Sequence, residues 1–261
     1  MIALPIGIGL VIGALVGLLG GGGSILAVPA LVYLAGQGLP QAVATSLLVV
    51  GITAVVAVLP RLRRRQVAWR IALLFGAAGA ATAFAGAAVN RALPEAVTLA
   101  LFAALMIAAG VRMLQEKPAT GTACTVESGR VNWRRCLPRT LAGGLVVGFL
   151  TGLLGVGGGF LIIPVLVLAL GLPMPTAVGT SLVVMTINSA AGFAAHIGEV
   201  SLDIPITAAF TAAAVVAASV SGRLGARTGA GRLRRWFAWL VLAVAALIAG
   251  QLLTDLVASS A

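Results

Sequence analysis

Charge is what this chain has least of. Only 9% of its 261 residues are charged, where soluble domains carry about 25%. Chemically versatile side chains are equally scarce: six carboxylates, one histidine, two cysteines and one tyrosine. Metal clusters, acid–base dyads and nucleophile triads draw on those residue types. The composition therefore points away from an enzyme and toward a protein with no metal and no cofactor. What is present instead is apolar. Hydrophobic residues make up 61% of the chain, a further 34 are glycine, and the mean hydropathy is +1.14. Such a chain has too little polar surface to cover itself in water. It reads as an integral membrane protein, its partners the lipid bilayer and a small solute. The net charge of +11 would suggest nucleic acid in a soluble protein. In a membrane protein the placement of the cations decides, and no nucleic-acid partner is expected. Only Lys117 is lysine, a bias that suits a GC-rich, bacterial genome.

Charges and turn residues divide the chain into apolar runs at 2–19, 25–35, 42–59, 71–89 and 96–111. After a polar stretch, 112–139, come 141–154, 160–170, 177–195, 204–220 and 237–253. Most approach the ~20 residues needed to cross a ~30 Å hydrocarbon core. The runs 25–35 and 160–170 reach about half that thickness at ~1.5 Å per residue. They are expected as half-helices or hairpin arms. The first run has no positive flank and its Gly-Leu-Leu-Gly ending recurs later, so it is not expected to be a cleaved signal peptide.

The chain repeats itself. Residues 17–49 align without a gap to 152–184, with eighteen of thirty-three positions identical at an offset of 135. Leu and Val matches are cheap in this composition. Those of Gly17, Gly20, Gly22, Gly23, Pro29, Pro40, Thr45 and Ser46 with Gly152, Gly155, Gly157, Gly158, Pro164, Pro175, Thr180 and Ser181 are not. The chain thus divides into a first repeat (1–114), a linker (115–137) and a second repeat (138–261). Cys124 and Cys136 belong to that polar connection, where cytoplasmic thiols stay reduced.

Positive charge orients the runs. The connection 60–70 holds five arginines, 112–139 six cations and 222–235 five arginines, whereas 196–203 holds only Glu199 and Asp203. Cytoplasmic loops are the ones rich in Lys and Arg. The connections alternate inside and outside, with both termini outside. Equivalent loops of the two repeats fall on opposite sides, which describes an inverted-topology repeat. The expected fold is all-α: a polytopic transmembrane helical protein with broken or re-entrant Gly-rich helices and eight to ten segments. Parity is settled by the charges; the count is not.

The glycine runs are the first candidates for a site. Gly20, Gly21, Gly22 and Gly23, and Gly155, Gly157, Gly158 and Gly159, each weaken a helix by ~1 kcal/mol relative to alanine. Helices are expected to break there, which is tolerated at membrane depth only beside protein or a wet cavity. Helices restarting at Ser24 and Phe160 would aim free N–H groups and a positive dipole end into the break, an anion site without formal charge. Close packing through small residues is the competing reading. Pro29 and Pro164 would kink the short arms, and Pro40 and Pro175 would start the next helices. The hydroxyls of Thr45, Ser46, Thr180 and Ser181 would cap the broken helices, bond across helices or hold a substrate oxygen. Asn188 lies seven residues from Ser181, near two turns and so on roughly one face. No cation or carboxylate falls inside a run. His196, at a helix end, is either a proton relay or a solvated interfacial residue.

The doubled motif, Gly-Leu-Leu-Gly-x-Gly-Gly-Gly followed by a proline and a Thr-Ser pair, resembles the sulfite exporter TauE/SafE family over nearly the whole chain. In the first copy Gly21 and Ser24 depart from it, standing at the variable position and at the third glycine. The His196-x-Gly198-Glu199-Val200 stretch is also family-like. The resemblance implies transport of sulfite, sulfoacetate or a related organosulfonate, mostly outward.

The combined expectation is a secondary transporter in the bacterial inner membrane that exports a small sulfur-containing anion by alternating access. Three rivals stand beside it: a channel or importer for another small solute, a membrane enzyme using Ser24 or Ser181 as nucleophile, and a scaffold subunit. A homo-oligomer is compatible with all of them.

Overall fold

In a bilayer every backbone N–H and C=O must find its partner within the protein, so an apolar chain of this kind folds as helices. The computed structural model describes residues 3–21, 27, 30–31, 39–90, 95–115, 133–154, 159–196 and 204–260. Among them the regular elements are all helical. They are α1 (Ala3–Leu19), α2 (Leu39–Arg63), α3 (Trp69–Asn90), α4 (Glu95–Gln115), α5 (Trp133–Leu154), α6 (Gly159–Pro164), α7 (Met174–His196), α8 (Ile204–Arg227) and α9 (Ala230–Ser260). The linker and the first short arm lie almost wholly outside the described residues. Among the described residues five helices contain stretches long and apolar enough to cross a membrane, with shorter apolar helices at Ile6–Leu19 and Ala100–Gln115. The protein is a polytopic helical membrane protein. Its exposed girdle is apolar to match, with Val11, Leu73, Phe84, Val216 and Leu247 all more than half exposed.

Two charged connections prove shorter than the sequence suggests. Helix α2 continues through Pro60 to Arg63, and residues 222–227 and 230–235 belong to α8 and α9. Apolar runs mark the hydrocarbon core, whereas a helix continues into the polar boundary wherever its long side chains can extend toward water. Helix α2 then ends in a doubly bonded cap. Gln66 N–H donates to the Arg61 carbonyl (2.9 Å) and Arg65 N–H to that of Leu62 (3.0 Å). Arg65 takes the left-handed conformation, φ +55°, that this closure needs. Pro40 and Pro175 are each the second residue of their helix, as expected of first-turn prolines. Cys136 is disulfide-bonded rather than a free thiol, which corrects the expectation of reduced cysteines; Cys124 lies outside the described residues.

Equivalent positions make equivalent contacts with the repeats exchanged. A side chain on Gly9 of α1 would meet the carbonyl of Phe210 in α8, and one on Gly144 of α5 would meet that of Phe75 in α3. Gly13 likewise lies against Ala214, and Gly148 against Gly79. Gly144 and Gly148 follow Gly9 and Gly13 by 135 residues, and Phe210 and Ala214 follow Phe75 and Gly79 by the same offset. Contact numbers rise together along both pairs, so α1 runs parallel to α8 and α5 parallel to α3. The small residues recur every four positions, which lets the backbones approach.

The α2–α7 pair joins the repeats through their own equivalents and runs the other way. Gly51 of α2 faces Ser189 of α7, while residues 66–68, just past the end of α2, meet Gly179 and Thr180 near the start of α7. Helix α7 is deeply enclosed over its first half, with residues 177–185 all buried.

Candidate functional site

The site begins where α1 stops. Gly20 N–H still donates to the Val16 carbonyl (2.8 Å), but Gly20 itself has φ +72°. That left-handed turn ends the helix at little cost only for glycine. A Cβ there would also strike Val178 of α7. One residue on, a Cβ on Gly21 would strike the backbone carbonyl of Gly159, where α6 begins. The first glycine run of one repeat therefore touches the last glycine of the other. Gly22, Gly23, Ser24, Gly155, Gly157 and Gly158 lie outside the described residues.

Ser181 ties α7 to this break. Its hydroxyl, fully buried, lies 2.8 Å from the carbonyl of Gly20 and 2.9 Å from that of Val178. A hydroxyl has one proton to donate, so these two carbonyls share it. Of the three roles open to the hydroxyls in sequence, Ser181 fills two: it bonds across helices and closes the end of a broken one. A ligand oxygen would have to displace one of those carbonyls to take the proton. Thr180 differs. Its Oγ1 accepts from Ala68 N–H (3.0 Å), which leaves the hydroxyl proton uncommitted. Thr45 Oγ1 is buried without a hydrogen-bond partner, while Ser46 is buried and bonded.

These residues are not gathered at one point. Ser46 precedes Gly51 by five residues and Ser181 precedes Ser189 by eight, on helices that run antiparallel. At ~1.5 Å per residue the two Thr-Ser pairs stand roughly 20 Å apart along the α2–α7 pair. Asn188 lies between them, beside the Gly51–Ser189 contact, and its Oδ1 has no partner. Its repeat counterpart, Thr53, turns its hydroxyl back to the Val49 carbonyl (2.5 Å). His196 is the last residue of α7, and its side chain lies outside the description.

The short arm forms as a helix but not a regular one. After Gly159–Pro164 the chain widens into a π turn, Val165–Ala169, and closes with Leu172 N–H on the Leu166 carbonyl (2.9 Å) and Gly171 at φ +69°. Pro164 does not break it: its backbone stays helical at φ −53°, ψ −45°. Widening to i→i+5 bonding is one way to keep a helix going past a residue that cannot donate.

Sequence reasoning missed Arg61. It counted as one of five loop arginines, yet it lies in the last turn of α2 with no exposed surface. Its guanidinium donates to the carbonyls of Gly17 (3.0 Å), Leu18 (3.1 Å) and Ala57 (3.2 Å). Nε has no partner. The C-terminal end of a helix carries partial negative charge, and α1 would otherwise aim that charge at the glycine break. Arg61 cancels it. The available signal was spacing: Arg61 follows Thr53 and Ala57, both buried, at i+4 steps on one face of the helix.

Among the described residues no group of three or more His, Cys, Asp or Glu could hold a metal. The arrangement instead offers hydroxyl protons, backbone dipoles and one buried guanidinium.

Comparison with known proteins agrees with a transport role. Residues 5–248 match the model of the family described as sulfite exporter TauE/SafE. Proteins named "probable membrane transporter protein" in two strains of Xylella fastidiosa are 36% and 37% identical over 180 residues, 69% of this chain and 67% of theirs. One from Methanocaldococcus jannaschii is 28% identical over 226 residues, covering 80% of this chain and 81% of its own. No solved structure matches the chain.

Proposed function

Because this chain belongs to the sulfite exporter TauE/SafE family of membrane proteins, we propose that it carries a small sulfur-containing oxoanion outward by alternating access. Sulfite, sulfoacetate and related organosulfonates are the substrate class, and the bacterial cytoplasmic membrane is the setting. The observation that carries this reading is the meeting of the two glycine runs, Gly21 against Gly159, with the Ser181 hydroxyl at the Gly20 carbonyl beside them. An anion there would find neutral donors, with the negative end of α1 offset by Arg61. A site of neutral donors can release as well as bind, which a carrier requires.

The antiparallel run of α2 and α7, equivalent helices of a repeat, favours inverted-topology halves that rock about this contact. The exchanged contacts of α1 with α8 and of α5 with α3 favour it equally. Both termini would then lie outside. Export down a negative-inside potential needs no coupled proton, since ~2.3 kcal/mol per charge per 100 mV is available.

The test is flux of radiolabelled sulfite and sulfoacetate in proteoliposomes under an imposed potential without a pH gradient. Saturable, potential-driven flux that Gly21→Leu abolishes and Gly7→Leu leaves intact is the expected result; Gly7 has open space around it. Flux of neither anion would sink the substrate assignment. Flux that requires a pH gradient would replace electrogenic export with proton coupling and bring His196 into the mechanism. Flux that never saturates would describe a channel.

A further inference from the structure

Where α8 turns into α9 the protein holds a cleft of about 710 Å³ whose walls are of two kinds. One is basic: Arg223, Arg227, Arg232 and Arg235 all line it. The other is apolar: Val220 and Leu224, exposed at 57% and 58%, belong to the outer girdle of α8. No carboxylate lines the cleft, and among the described residues none of the four guanidinium groups has an ion-pair or hydrogen-bond partner. The turn itself is held from within. Thr228 donates its N–H and its hydroxyl to the Leu224 carbonyl (3.0 and 2.8 Å), and Leu233 N–H donates to that of Gly229 (3.1 Å). The cleft is therefore bounded by fixed backbone rather than by a loose loop. On the following turns of α9, Trp236 and Trp239 are exposed at 44% and 63%, as aromatic residues are where a helix leaves the hydrocarbon.

We propose that this cleft binds the phosphate of an anionic phospholipid headgroup. Arginine's planar fork matches phosphate oxygens two at a time. Four unpaired guanidinium groups at one helix turn carry more positive charge than a single phosphodiester needs, which favours glycerol-based anionic lipids over zwitterionic ones. The apolar wall assigns the ligand to the bilayer. A free phosphate would leave Val220 and Leu224 unused, whereas a lipid continues from the headgroup along them as acyl chain. Basic pockets at the cytoplasmic boundary of membrane helices bind such headgroups. The site is separate from the glycine breaks, and the proposal does not depend on what the protein transports.

The experiment is native mass spectrometry of the full chain released from micelles holding equal amounts of phosphatidylglycerol and phosphatidylcholine. Phosphatidylglycerol adducts should dominate. The pair Arg232→Gln with Arg235→Gln should weaken them roughly thirtyfold, two arginines' worth near an anionic surface. The pair Arg63→Gln with Arg64→Gln, exposed at the end of α2, should leave them within about twofold of the unaltered chain. Equal loss in both pairs would overturn the cleft in favour of diffuse surface charge, and adducts showing no preference would overturn lipid selection altogether. Inorganic phosphate alone serves as the second arm: if it displaces the lipid completely at millimolar concentration, the apolar wall contributes nothing and the lipid assignment fails. Should the α9 pair not fold, Arg223→Gln with Arg227→Gln tests the same wall from α8.

Discussion

Single residues in this protein act mainly on helix ends. Arg61 is the clearest case, because it holds two carbonyls at the end of α1 from a position in α2. Arg61→Met keeps the length of the side chain and removes the donors. Buried acceptors left unpaired cost about 1–3 kcal/mol each, so the melting temperature in detergent should fall by many degrees. A variant that melts like the parent would show that water or lipid replaces the guanidinium. Ser181→Ala removes a single shared proton between Gly20 and Val178. It should cost about 1 kcal/mol, a smaller but measurable shift on the same thermal scan. Arg65 works the other way. Its left-handed backbone at φ +55° is strained by ~1–2 kcal/mol for a residue with a Cβ. Arg65→Gly should therefore raise the melting temperature, and a decrease would mean that its side chain holds something the backbone argument leaves out.

At the scale of elements, two different uses of glycine share one sequence pattern. Gly9, Gly13, Gly144 and Gly148 recur every four residues inside unbroken helices and let backbones touch. Gly20 and Gly171 end helices through positive φ. Clustering marks the break at Gly20, which is why the end of α1 was legible, whereas Gly171 stands alone between leucines and carried no such signal. The π turn that follows α6 was not legible, since nothing in Val165–Ala169 differs in composition from an ordinary apolar helix. The distance between the Thr-Ser pairs was hidden for another reason. Identical motifs suggest one shared site, but their separation depends on where α2 and α7 cross, at Gly51 and Ser189, and neither residue belongs to the motif. A wedge distinguishes the packing glycines from the breaks. Gly148→Leu drives a side chain into the backbone of Gly79 and should force α5 from α3, losing monodisperse protein on size-exclusion chromatography. Gly250→Leu, with open space around it, should elute as the parent does. Normal elution of both would mean that these helices can part without unfolding the protein.

For the whole molecule, the fold follows from repetition and charge, and each gives a different part of the answer. The offset of 135 residues pairs the helices, while the arginines orient them. Arg64 follows α2 and Gly229 follows α8, and both sit in positively charged connections. Gly7 lies near the start of α1, which runs parallel to α8, and therefore belongs to the opposite face. Single cysteines placed at 7, 64 and 229, with Cys124 and Cys136 changed to serine, turn that geometry into an accessibility pattern. In intact cells an impermeant maleimide should reach Gly7→Cys alone. After permeabilisation it should reach all three. If Arg64→Cys and Gly229→Cys fell on opposite faces, the inverted relation of the repeats would be wrong, because α2 and α8 would no longer end on one side. If both were reached from outside and Gly7→Cys were not, the inverted relation would survive and the charge rule would fail. The two outcomes separate the contribution of the repeat from that of the arginines, which the sequence presents together.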